Sequence, residues 1–162
     1  MASTVYGFPI SPRGYDIVDS FIMPYWKPAL RDLGSSVVHP FQGGYKMHVS
    51  VLPRDAEALA HAVLPVLQQA NYDHKVVAPL SEYEEFCKTE QAGKFITIYI
   101  GPQPTARAAL TGQLDPVFAQ LRQAGVNPGP TPMDRQQGHQ VAEHKSGNSG
   151  FLWYITTNSY FK

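Results

Sequence analysis

The sequence predicts a single α+β domain over residues 1–162, with a mainly antiparallel sheet, a helical cover and a long loop in the C-terminal half. Three observations lead to that class. Lys94 to Ile100 alternates and is rich in β-branched residues, as a strand requires. Tyr45 to Leu52 alternates as well, with Tyr45, Met47, Val49 and Val51 on one face and Lys46, His48 and Ser50 on the other. Between them, Ala56, Leu59, Ala60, Val63, Leu64 and Leu67 recur at helical spacing. With 162 residues, 43% hydrophobic and 16% charged, the chain suffices for one packed core and is too short for two.

The elements follow in order. Residues 1–14 carry Gly7, Pro9, Pro12 and Gly14 among small polar residues, the composition of a loosely held entry segment. From Tyr15 to Leu33 apolar residues recur at helical intervals, and Pro24 and Pro28 divide them into two short helices. The first strand, Tyr45 to Leu52, leads to the helix beginning near Ala56, with Asp55 placed to cap it and Pro65 to kink it. His74 to Ala78 reads as a second strand. Ser81 and Glu84 make the S-x-x-E capping pattern of a helix running to Lys88, and the strand Lys94 to Ile100 follows. Thr105 to Gly112 and Asp115 to Ala124 are two helical pieces, with Pro116 just inside the second. Residues 125–150 are dense in Gly, Pro, Gln and Ser and lack apolar periodicity, so they are expected to form a long loop acting as a lid. Phe151 to Thr157 returns as a strand.

Thirteen basic and thirteen acidic side chains balance, so no global field recommends nucleic acid or an anionic membrane as a partner, and any anion site is local. No segment approaches the roughly 20 apolar residues of a membrane helix, and a cytoplasmic protein is expected. The one cysteine, Cys87, excludes an internal disulfide and has no base beside it in sequence. The G-x-S-x-G, P-loop and G-x-G-x-x-G patterns are all missing, so serine hydrolase, Walker ATPase and Rossmann oxidoreductase have no support.

Candidate site residues each carry two readings. Lys46 and His48 stand about 7 Å apart on one strand face, either aimed at one ligand or forming the solvated face of an edge strand. Lys75, after His74, is a buried amine or an edge-strand lysine. Lys94 follows Gly93, where backbone and ammonium can both approach a ligand. Lys88 lies at a helix C-terminus, where the dipole alone explains it. Arg135, beside Asp134 in the long loop, is a bidentate anion ligand or a solvated arginine. His139, Glu143 and His144 do not read as a metal site, because a spacing of five fits neither a helix face nor a strand face.

Taken together, GYKMHVSV, a helix, DHKVV and AGKFITIYI resemble the phosphothreonine and phosphoserine lyases. Two branches share the pattern: the lyase domain of class III and class IV lanthipeptide synthetases, and the effector phosphothreonine lyases of bacterial pathogens. The resemblance covers about Gly44 to Pro102, and AGKFITIYI is closer to the lanthipeptide branch. It implies β-elimination of phosphate to a dehydroamino acid with no metal and no organic cofactor. In that reading Lys75 is the base that takes the α-proton and His48 the acid that protonates the leaving oxygen. Lys46 stabilises phosphate or enolate charge, and Tyr99 orients the acid or the phosphate. Lys94, Lys88 and Arg135 are the implied phosphate ligands. Family members carry clamping arginines in a C-terminal element, whereas Gly147 to Tyr154 has none. Arg135, in GPTPMDRQ, resembles an Asp-Arg segment of the lanthipeptide enzymes, and Lys145 is a partial substitute.

The resemblance therefore implies a stand-alone lyase acting on a phosphorylated precursor peptide, with a separate kinase and cyclase as partners. One alternative is an effector lyase, secreted into a host cell, that inactivates a host phosphoprotein kinase. The other is a non-catalytic phosphopeptide or leader-peptide binding module, in which the same lysines hold phosphate without elimination.

Overall fold

The computed structural model describes residues 4–9, 25–26, 44–136 and 139–157. Alternation in the sequence becomes division between two faces of a sheet. Its strands are β3 (Tyr25–Trp26), β4 (Gly44–Val49), β5 (His74–Val76), β6 (Ile96–Ile100), β9 (His144–Lys145) and β10 (Leu152–Thr157), in the order β3-β5-β6-β4-β10-β9. Every neighbouring pair is antiparallel. On one face Met47, Val49, Val76, Ile96, Ile98 and Leu152 are buried in the main core. The same core takes in α1 (Ala56–Gln69), through Leu59, Val63, Leu64 and Leu67, and α3 (Pro104–Gln123), through Leu110, Leu114, Phe118 and Leu121. Burying such side chains contributes roughly 1.5–3 kcal/mol each, which makes this face the main stabilising layer. Phe118 stacks on Phe151 with ring centroids 5.0 Å apart, joining α3 to the start of β10.

Several local expectations change. The two helical pieces after Thr105 are one continuous helix, α3, with Pro116 inside it. The carbonyl that Pro116 leaves without an amide partner belongs to Gly112, which is exposed, so water satisfies it and the helix continues. Pro65 sits inside α1 in the same way, above exposed His61. Asp55 occupies the N-cap position of α1 without a side-chain cap; it accepts hydrogen bonds from the Asn127 backbone and side-chain amides instead. The helix α2 (Leu80–Phe86) starts one residue before Ser81, with Pro79 as its N-cap, so the S-x-x-E pattern does not cap it.

The entry segment is not uniformly loose. Residues 4–9 form a hairpin of β1 (Thr4–Val5) and β2 (Phe8–Pro9) around Tyr6 and Gly7, whose φ angles of 52° and 89° suit a two-residue hairpin turn. The Tyr6 hydroxyl donates to the Val77 carbonyl at 2.6 Å, and its ring meets Phe95 edge-on. The two short helices expected from Tyr15 to Leu33 lie outside the described residues, except that Tyr25–Trp26 is strand.

Residues 125–150 also differ from a plain loop. They contain β7 (Met133–Gln136) and β8 (His139–Ala142), paired as a hairpin, and then β9. The stretch before the hairpin is tied down: Ser50 Oγ donates to the Pro130 carbonyl at 2.6 Å, and Leu52 N–H to the Asn127 carbonyl at 3.2 Å. Gly93, at φ +82°, has space for no more than a hydrogen on its α-carbon, since a Cβ would stand 2.5 Å from the Pro130 oxygen. No described helix is long and apolar enough to cross a membrane.

Candidate active site

The face of the sheet opposite α1 and α3 carries the polar residues of the alternating strands. Register sets their arrangement. His48 on β4 is the partner of Thr97 on β6, and Thr97 is the partner of Lys75 on β5. Lys46 is paired with Tyr99 in the adjoining row. Directly opposed residues project from the same face, so Lys75, Thr97 and His48 form one cross-strand line, with Lys46 and Tyr99 beside it. On the far side of β4 the lines continue through Trp153 and Ile155 of β10, and Trp153 is paired with Lys145 of β9.

This is no solvated edge. β4 lies between β6 and β10, His48 is 2% exposed and Tyr99 6%, while Lys46, Lys75 and Lys94 are half-buried. Lys75 lies on β5, which is flanked by β3 and β6, so the edge-strand reading fails for it too.

His48 has a partner that the spacing rules did not mark. Its Nδ1 lies 2.8 Å from both carboxylate oxygens of Glu143, whose side chain is fully buried. A carboxylate only accepts, so Nδ1 carries the hydrogen and Nε2 is left to face the site. Glu143 follows β8, where its backbone N–H donates to the Pro132 carbonyl at 3.0 Å. The sequence held one usable signal, an acid in a segment with few carboxylates. The pairing crosses 95 residues, and no local pattern encodes it.

Burial pushes the His48 imidazole below its ordinary pKa, against the pull of Glu143; the charges of Lys46 and Lys94 add to the lowering. Lys46 is likewise lowered, first by burial and then by Lys94, with Glu143 and Asp134 opposing. The cluster thus contains cations that lower the proton affinities of His48 and Lys46, and two acids that limit the effect. Lys94, just before β6, belongs to it electrostatically, and Asp134 brings in the hairpin strand β7.

The remaining candidates separate. Lys88 is exposed and pairs with Glu85 at 2.8 Å, which raises its pKa; it is occupied at the end of α2 and is not part of these rows. Arg135 lies on β7 opposite Gln140, and its side chain is outside the described residues. Arg107 belongs to the helix-facing side, over the rings of Tyr45 and Tyr154 at 5.3 and 4.2 Å, with Nη1 donating to Ser146. Cys87 is half-buried and free. Among the described residues no group of three or more His, Cys, Asp or Glu side chains gathers to hold a metal ion.

The architecture is that of the phosphothreonine lyases. The phosphothreonine lyase SpvC, an effector protein from Salmonella, is similar over 96% of this chain and 71% of its own, with a TM-score of 0.57 and 18% identity. The type III effector and phosphothreonine lyase OspF from Shigella flexneri is similar over 94% of this chain and 71% of its own, with a TM-score of 0.54 and 11% identity. The Chromobacterium violaceum phosphothreonine lyase effector VirA covers 96% and 70%, with a TM-score of 0.56 and 14% identity. At these identities the likeness is one of fold. The chain belongs to the family described as RamC, N-terminal domain, a lanthipeptide-related family whose model matches residues 30–127. Comparison with curated proteins finds no match.

Proposed function

We propose that this protein is a phosphothreonine or phosphoserine lyase that eliminates phosphate from a phosphorylated peptide. The observation that carries the reading is the line Lys75, Thr97, His48 on one sheet face, with Lys46 alongside and Glu143 behind the histidine. Elimination needs a base and an acid serving neighbouring atoms of one substrate residue. Lys75 as neutral amine takes the α-proton, the electron pair becomes the Cα–Cβ double bond, and the Cβ–O bond breaks. The Nε2–H of protonated His48 delivers its proton to the departing phosphate oxygen. Inorganic phosphate and a dehydroamino acid are the products, and no water is consumed.

His48 must be charged to act as the acid, although burial disfavours that form. Glu143 supports the imidazolium from behind, and a phosphate dianion arriving in front adds a second negative charge. Lys46 and Lys94 oppose the charge that grows on phosphate and substrate carbonyl, where half-burial strengthens each interaction over its value in water. Tyr99, beside Lys46, orients the phosphate, and Arg135 is a further ligand brought by the hairpin. The β7–β8 hairpin serves as the lid. Family membership favours a precursor peptide as the substrate, phosphorylated by a kinase activity and passed on to a cyclase activity, over a host protein kinase. No cofactor enters the scheme.

The test is direct. Purified protein incubated with phosphothreonine and phosphoserine peptides should yield a product about 98 Da lighter, whereas phosphatase action removes only about 80 Da. Lys75→Ala and His48→Ala should each lower the elimination rate by at least ~100-fold, and Lys75→Ala should still bind the phosphopeptide. Binding without elimination by the wild-type protein would favour the phosphopeptide-binding module. Elimination that survives Lys75→Ala would assign the base elsewhere.

A further inference from the structure

The residue at the centre of the catalytic line has no role in the scheme so far. Thr97 is paired with Lys75 on one side and with His48 on the other. Opposed Cβ atoms in antiparallel strands are about 5 Å apart, so its side chain rises between the base and the acid. It is 2% exposed, and that small exposure is on the site face, since Ile96 and Ile98 occupy the core-facing positions on either side of it. Among the described residues, no side-chain hydrogen bond involves Thr97. A valine would satisfy the strand and fill the same volume, so the hydroxyl is the feature that the fold does not use.

We propose that Thr97 is a further catalytic residue, whose hydroxyl donates a hydrogen bond to the phosphate of the substrate. The inference rests on the lyase reading. A residue whose Cα–H must meet Lys75 and whose Cβ–O must meet His48 lies lengthwise over Thr97. The phosphate oxygens next to the breaking bond are therefore the atoms its hydroxyl meets. They gain charge as the bond breaks, so the hydrogen bond is stronger in the transition state than in the bound substrate, and its effect falls on kcat more than on KM.

Thr97→Val removes the hydroxyl at constant shape, and Thr97→Ser keeps the hydroxyl while removing the methyl. With a phosphothreonine peptide, Thr97→Val should lower kcat by about 30-fold or more and leave KM within about 3-fold. Thr97→Ser should stay within about 5-fold of the wild-type kcat. Circular dichroism and thermal unfolding of both variants establish that each is folded. Wild-type kcat in Thr97→Val would overturn the proposal, and so would equal impairment of the two variants, which would assign the effect to packing. If the wild-type protein eliminates no phosphate, the lyase reading itself fails and Thr97's role with it; if the wild type is active and Thr97→Val is unaltered, Thr97 alone is refuted.

Discussion

Glu143 determines which nitrogen of His48 can do chemistry. Both of its oxygens hold Nδ1, and its charge opposes the lowering of the imidazole pKa by burial. Glu143→Gln removes that charge, so the His48 pKa falls further. The acid form is then lost at lower pH, and the alkaline limb of the kcat/KM profile moves toward acid. At neutral pH kcat/KM should fall by about 10–100-fold. An unmoved pH profile would show that the carboxylate does not tune the histidine. At this scale the sequence made five of the grouped residues legible, Lys94 through its place after Gly93. Lys46 and His48 share a strand face by parity, and Lys75 and Tyr99 follow in the order of the resemblance. Glu143 and Thr97 were not legible, because each has meaning only through partners on other strands.

The hairpin β7–β8 depends on a firm base, and that base is built from close backbone approaches. Gly93 and Gly129 admit the chain where a Cβ would stand 2.5 Å from the Pro130 oxygen and 2.6 Å from the Val51 oxygen. Gly93→Ala also forces a side chain into left-handed backbone, and should destabilise the fold by about 1–3 kcal/mol in urea titration while lowering activity through neighbouring Lys94. Ser50→Ala, which deletes the hydrogen bond to Pro130, should cost about 1 kcal/mol in the same measurement. Unchanged midpoints in both would mean that the 127–132 stretch is not a structural anchor. Elements with a strong internal period, such as α1, β4 and β6, could be read from sequence. The strands β7, β8 and β9 could not, since each is short, mostly polar and stabilised by a non-local neighbour. α3 looked divided because Pro116 is a breaker in general, and only its exposed position makes it harmless here.

Among the described residues the six-stranded sheet has a stabilising face and a face that carries the candidate site, and both contain a buried histidine. His74, paired with Ile98, stands on the helix side, where burial lowers its pKa to about 4 and its Nδ1–H donates to the Tyr72 carbonyl at 2.8 Å. The unfolded chain binds this proton near the ordinary value of 6.5, and the folded protein does so only near 4. The unfolded state therefore holds more protons between those values, and stability falls as pH drops through that window, by up to about 3 kcal/mol. His74→Gln should flatten the decline of Tm across that range while leaving the share due to His48; an identical slope would remove His74 as its source. The site face has a different consequence. Its groups are spaced by the pitch of hydrogen-bonded strands, about 4.8 Å per step, so under the proposed lyase activity the sheet works as a ruler laid under the substrate. Lys75 and His48 stand two graduations apart with Thr97 between them, so in the proposed elimination their side chains approach one substrate residue from opposite ends. Phosphotyrosine carries its oxygen on an aromatic ring carbon and has no Cβ–O bond to break, so under the proposed activity it is bound at most and never cleaved, whatever affinity the surrounding lysines have for its phosphate.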